Sequence, residues 1–135
     1  MIVPDASATA MLFARGDLDS RAREVIDVLR ADPDWAVPEH WRTEVLSVIR
    51  GLVRGGKLGL ARAERSVGWL QEVTVIVAPT GPLLARMWSL RDNLSAYDAG
   101  YVAVGEAYDA TLVTADARIA RAGVARCPVR VIAQG

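Results

Sequence analysis

The sequence predicts an α/β fold, a three-layer sandwich with a short, central, mainly parallel sheet, and three observations carry that reading. The candidate strands Ile2–Pro4, Val73–Ala78, Thr111–Thr114 and Val129–Ala133 are short, rich in β-branched residues and show little alternation, as strands covered on both faces do. Helical patterns separate them, so each return to the sheet calls for a right-handed crossover. Two of the strands stop at an aspartate, Asp5 in MIVPDASA and Asp116 in LVTADARIARA. The carboxyl ends of parallel strands are where functional groups gather.

The elements follow in order. After the first strand, helical patterns run over residues 7–14, 20–31, 38–54 and 60–72, then a strand, then helical patterns over 82–92 and 95–108. A further strand, a helical pattern over 117–122 and the last strand complete the chain. Pro38 and Pro82 sit where a first helical turn tolerates proline, while Gly55-Gly56 and Gly123 sit where helices stop. No internal repeat, low-complexity tract or Pro/Gly/Ser linker interrupts this alternation.

A chain of 135 residues with 52% hydrophobic content is expected to form one domain, residues 1–135, around one core. The longest apolar run, VTVIVA, has strand length and falls far short of the roughly 18 to 20 residues of a membrane span. MIVPD lacks the basic and apolar regions of a signal peptide, so a cytoplasmic protein is expected. The single cysteine, Cys127, can build neither an internal disulfide nor a cysteine metal site and is read as a small packing residue. Formal charge is zero, yet 15 of the 16 basic residues are arginine. Arg42, Arg50, Arg54, Lys57, Arg62 and Arg65 cluster against only Glu44 and Glu64, and Arg118, Arg121, Arg126 and Arg130 stand together without an acid. Such clusters are compatible with a polyanionic partner and equally with solvated helix faces.

Two more acids sit oddly. Helical spacing sets Glu44 beside Trp41 and Val48, at the edge of an apolar face, and gives Asp98 a face in common with Leu94, Tyr101 and Val102. Each of the four acids has an ordinary explanation: Asp5 and Asp116 as helix caps, Glu44 as a marginal residue that snorkels to solvent or pairs with an arginine, Asp98 as the end of a capping box begun by Ser95. If Asp5, Glu44, Asp98 and Asp116 converge, each pair separated by about 4 Å repels by about 4 kcal/mol at an effective dielectric of 20. Raised pKa values can offset that, a hard divalent cation does so more fully, and an all-carboxylate set selects Mg²⁺ or Mn²⁺ over zinc. His40, the only histidine, is read as a solvated residue of a first helical turn; as the only possible base, and with no G-x-S-x-G present, it also disfavours serine-triad chemistry.

The segments VPDASA, RTEVLSVIR, LSAYDAGYVAVGEAYDATLVTAD and ARIARA together resemble the PIN-domain family, in particular the VapC-type toxins of toxin-antitoxin pairs, over essentially the whole chain. The resemblance implies a PIN-like fold and a metal-dependent endoribonuclease that hydrolyses RNA phosphodiesters with a metal-activated water. It implies an acidic quartet of Asp5, Glu44, Asp98 and Asp116 as catalytic residues and as ligands of Mg²⁺ or Mn²⁺. Ser7 and Thr114 match hydroxyl positions beside those acids, as supporting groups or simply as capping groups. It also implies a cognate VapB-type antitoxin and a homodimer. Trp69 and Trp88, with Leu70, Leu83, Leu84 and Met87, offer apolar groups for an interface, although core packing is expected to take most of them. Alternatives are a catalytically silent interaction module, which predicts loss of an acid, and a DNA-directed nuclease. A phosphoacceptor receiver fits poorly, because Asp5 has no acidic neighbour and Lys57 lies between helices.

Overall fold

In a computed structural model of the protein, residues 1–13 and 20–132 are described. The elements in order are β1 (Ile2–Pro4), α1 (Ala6–Ala10), α2 (Ser20–Ala31), β2 (Ala36–Pro38), α3 (Trp41–Arg54), α4 (Leu60–Glu72), β3 (Ile76–Ala78), α5 (Leu84–Ser89), α6 (Ala96–Ala107), β4 (Thr111–Thr114), α7 (Ala117–Ala122) and β5 (Val129–Val131). A single 3₁₀ turn, Gly81–Leu83, leads into α5 and carries Pro82 at its start. The ends of two expected elements, residue 14 and residue 133, lie outside the described residues.

Every strand pairing is parallel. β4 lies between β1 and β5, with Pro4 opposite Val113 and Thr114 opposite Val131, while β2 pairs with β3. A parallel bridge from Ile2 to Trp35 joins the two pieces, giving the order β3-β2-β1-β4-β5. The direction of winding reverses between β1 and β4, so the crevice at their carboxyl ends is the topological switch point. Asp5 and Asp116 flank that crevice: the Asp5 amide donates to Val113 O at 3.0 Å, continuing the β1–β4 ladder one residue beyond the strand.

β2 is the element that the sequence hides. Pro38 closes this three-residue strand instead of opening a helix, and α3 begins at Trp41. β1 also ends on a proline, so the last residue of each of these strands has no N–H to offer a neighbour. β3 begins only at Ile76 because Val73 caps α4, its amide donating to Trp69 O at 2.8 Å. The expected helix over 82–92 is the 3₁₀ turn and the short α5.

The core runs through both sheet pieces. Val3, Leu112 and Val113 are fully buried, as strands covered on both faces require, and each such side chain contributes about 1.5–3 kcal/mol of transfer free energy. α6 packs across β1, β2 and β4, and almost all of Ala99–Gly105 is buried, which explains why the helix reads as apolar all round. On α3 and α4 an aromatic cluster forms. Trp35 packs edge-on against Trp41 and Trp69 at 6.3 and 6.1 Å between centroids, and Phe13 against Trp69 at 5.4 Å. Two of the indole N–H groups have partners: Trp35 donates to Asp32 O at 2.8 Å and Trp41 to Thr9 Oγ1 at 3.3 Å. Arg42 ties α3 to the end of α4 by donating to Leu70 O and Val73 O, which removes it from the set of free arginines. Gly55 caps α3, and Gly123 ends α7 at φ 67°, the left-handed region that glycine adopts freely.

Of the apolar groups expected on the middle helices, Trp69 and Leu70 belong to the core, whereas Trp88 is 69% exposed and Leu84 55% exposed. Cys127 packs half-buried against Gly105, where an added Cβ would stand 2.8 Å from its sulfur. No described helix is long and apolar enough to cross a membrane.

Candidate active site at the sheet switch point

Asp5 follows β1 directly and caps α1. Its Oδ1 accepts from the Ala8 amide at 2.9 Å and from Ser7 Oγ at 2.6 Å, so the capping role is real. Capping alone does not require burial, yet Asp5 is only 5% exposed. Burial raises its pKa; the hydrogen bonds from Ser7, Thr114 and Ala8 oppose the shift, and the charge of Asp98 adds to it.

Across the switch point, β4 ends at the fully buried Thr114. Thr114 Oγ1 accepts from the Asp116 amide at 2.9 Å and lies 3.4 Å from Ser7 Oγ, which itself accepts from the Ala115 amide at 3.0 Å. Ser7 and Thr114 therefore stitch the two strand ends together beneath the acids. Asp116 caps α7 through the Arg118 amide at 2.9 Å. Its carboxylate also receives the Arg118 guanidinium, with Nε and Nη2 at 2.9 and 2.6 Å from Oδ2. That ion pair, first among the causes, holds the Asp116 pKa below the usual range.

Asp98 enters from the first turn of α6. Ser95 caps that helix by accepting from the Asp98 amide at 3.1 Å, so the expected box is present in its backbone half. The carboxyl itself is half-buried, and its pKa is raised by burial first and by the charge of Asp116 second. Asp98 thus feels Asp116 on one side, while Asp5 feels Asp98 on the other.

Glu44 lies in the first turn of α3, and its charge acts on Tyr101, as that of Asp5 does. Its Oε1 is buried without a hydrogen-bond partner, 3.6 Å from His40 Nε2. Tyr101, three residues after Asp98 on α6, is 2% exposed, and its hydroxyl is likewise buried without a partner. Burial, and after it the charge of Glu44, pushes the Tyr101 phenol far up, so it stays protonated.

His40 departs from expectation. Its imidazole is only partly solvated: it packs edge-on against Tyr97 and Tyr101 at 5.2 and 5.3 Å between centroids and lies 3.1 Å from Tyr97 O through Nε2. The reason is Gly100, whose lack of a side chain opens the seat that the ring occupies. Sequence reasoning underrated both His40 and Tyr101. The available signals were their spacings, His40 one helical turn before Glu44 and Tyr101 one turn after Asp98. Asp92 and Asp109 are exposed and take no part.

Among the described residues no group of three or more His, Cys, Asp or Glu side chains is drawn together as a ready-made metal site. Charge and donor type nevertheless fit a hard divalent cation. The donors are all carboxylate oxygens, two of the acids are raised partly by like-charged neighbours, and one buried carboxylate oxygen has no partner. At Asp116 the positive charge is supplied by Arg118.

The chain belongs to the PIN domain family, whose description matches residues 2–125. Within it the chain resembles VapC ribonucleases: it is 39% identical to ribonuclease VapC9 of Mycobacterium tuberculosis over 132 residues, 98% of each chain. Two solved structures share the fold. The sarcin-ricin loop cleaving toxin VapC20 of M. tuberculosis superposes with a TM-score of 0.68 at 21% identity, over 91% of this chain and 95% of that one. A toxin-antitoxin complex from Klebsiella pneumoniae gives 0.67 at 19% identity, over 100% of each.

Proposed function

We propose that the protein is the toxin of a toxin-antitoxin pair, a cytoplasmic endoribonuclease that hydrolyses RNA phosphodiesters with the aid of Mg²⁺ or Mn²⁺. The observation that supports the reading is that Asp5 and Asp116 follow the neighbouring parallel strands β1 and β4 at the switch point, with Asp98 near enough for its charge to act on Asp5 and to feel that of Asp116. A protein with no use for this arrangement gains nothing by keeping it, because burial and mutual repulsion both work against the ionised carboxylates. The VapC relatives support ribonuclease activity, and the toxin-antitoxin complex among the structural neighbours supports an antitoxin partner, proposed to be of VapB type, with a homodimer proposed beside it.

Asp5, Glu44, Asp98 and Asp116 are the residues that would hold the cation. Once bound, it supplies the charge that lowers the pKa of the attacking water and stabilises the phosphate in the transition state. The chain's own groups do the rest. Ser7 and the Ala8 amide fix the Asp5 carboxylate, while Thr114 fixes the backbone from which Asp116 projects. Attack by water forms one P–O bond, the bond to the leaving ribose oxygen breaks, and that oxygen leaves with a proton. Arg50, Arg54, Arg62, Arg65 and Arg121 are exposed and available to the RNA backbone.

The test uses purified protein on RNA and on single-stranded DNA of the same sequence, with Mg²⁺, with Mn²⁺ and with chelator. The proposal expects cleavage of RNA that requires metal. Cleavage of DNA alone would move the assignment to a DNA-directed nuclease, and inertness toward both, with metal binding verified, to an interaction module.

A further inference from the structure

Tyr101 Oη and Glu44 Oε1 are buried polar atoms without hydrogen-bond partners; they belong to α6 and to α3, whose N-cap residue His40 packs against Tyr101. Orphaned buried groups are rare, and each calls for an explanation. Phenylalanine would fill the Tyr101 site without leaving a hydroxyl unsatisfied, so packing does not account for the oxygen. The two groups are complementary. A phenol hydroxyl is a donor, and a carboxylate oxygen accepts. Both Glu44 and Asp5 lie close enough for their charges to act on the Tyr101 hydroxyl. His40 bounds Glu44 from another direction at 3.6 Å, and its ring is set by the edges of Tyr97 and Tyr101 and by the space above Gly100.

We infer that Tyr101 is a positioning residue for Glu44: its hydroxyl donates to the carboxylate, directly or through one water, and holds it facing Asp5 and Asp98 in the orientation that receives the cation. The inference rests on the metal-dependent reading proposed above and adds a residue to it. Groups that orient a ligand in this way typically change metal affinity or activity 10- to 100-fold when removed.

The test measures Mn²⁺ affinity by titration calorimetry on wild type, Tyr101→Phe, Glu44→Gln and the double variant, with thermal denaturation in chelator alongside. Tyr101→Phe is expected to weaken Mn²⁺ binding by about tenfold. Its metal-free melting temperature should fall by no more than a few degrees, the cost of one hydrogen bond to the carboxylate. The double variant should bind no more weakly than Glu44→Gln alone, because the hydroxyl acts only through that carboxylate. In RNA cleavage the loss should fall on kcat, with KM little changed. Wild-type Mn²⁺ affinity in Tyr101→Phe, beside a weakened Glu44→Gln, would overturn the inference and leave the metal site standing. So would a lowered metal-free melting temperature with affinity intact, the mark of a packing role. Unchanged affinity in Glu44→Gln would remove the metal site at Glu44 and the inference with it.

Discussion

Gly100 lies directly under the imidazole of His40: a Cβ built on the glycine would stand 2.6 Å from His40 Cε1 and 3.2 Å from Nε2. The only histidine of the chain is therefore seated on α6 by the absence of a side chain, and its Nε2 is held 3.6 Å from Glu44 Oε1. Gly100→Ala gains helix propensity of about 1 kcal/mol but must push the ring away. RNA cleavage should fall by at least an order of magnitude while the melting temperature holds or rises. Combining Gly100→Ala with His40→Ala should relieve the clash without restoring the rate to wild type. Equal rates in wild type and Gly100→Ala would show that the seat of His40 does not matter to the site.

The pKa of Asp98 is raised, and this fixes the sign of its effect on stability. Protonation favours the folded state, so the stabilisation it offers is complete below the ordinary carboxylate value of about 3.9 and is lost as pH climbs through the raised folded value. At neutral pH without metal, Asp98→Asn should therefore melt a few degrees above wild type, and the difference should vanish on acidification below the ordinary range. A lower melting temperature at neutral pH would mean that Asp98 forms a stabilising pair.

Asp116 has the opposite sign. Arg118 depresses its pKa, so the stability it contributes is present above the ordinary carboxylate range and is lost as pH falls through the depressed folded value. Arg118→Ala should return the Asp116 carboxyl toward its ordinary pKa in a carbon-detected NMR titration. Because the guanidinium no longer competes with a cation, Mn²⁺ affinity should also rise a few-fold. An unmoved Asp116 titration would show that the ion pair does not persist in solution.

Away from the acids, Arg86 joins α5 to α6 and to the chain after α7. It donates to both Glu106 oxygens at 2.8 and 3.0 Å and to Val124 O at 3.0 Å, while the Arg126 amide donates to Glu106 at 2.8 Å. Arg86→Ala leaves Glu106 with the Arg126 amide but without the guanidinium and should cost about 2 kcal/mol in urea unfolding, with little change in RNA cleavage normalised to folded protein. A cost near zero would mean that water replaces the guanidinium.

The strands that carry Asp5 and Asp116 were legible because an apolar β-branched run that stops at aspartate marks both a strand end and a helix cap. Ser95 was legible as a cap for the same reason. β2 was not, since Ala36–Pro38 is too short for a period and its proline mimics a helix start. The halves of the site on helices were half legible. Glu44 and Asp98 stood out as acids on apolar faces, but Tyr101 looked like core and His40 like surface, because the seat above Gly100 exists only once α3 and α6 meet. Arg42 was misjudged for a similar reason, as carbonyls at the end of α4 claim it.

The central claim is that the acids at the switch point form one hydrolytic site. The most direct test compares wild type with Asp98→Asn, prepared identically, in single-turnover cleavage of RNA with saturating Mn²⁺. The account predicts discrete cuts by wild type and a rate loss beyond about a hundredfold in the variant, larger than the loss expected for a residue that only orients a ligand. Equal cleavage by the two proteins would contradict it.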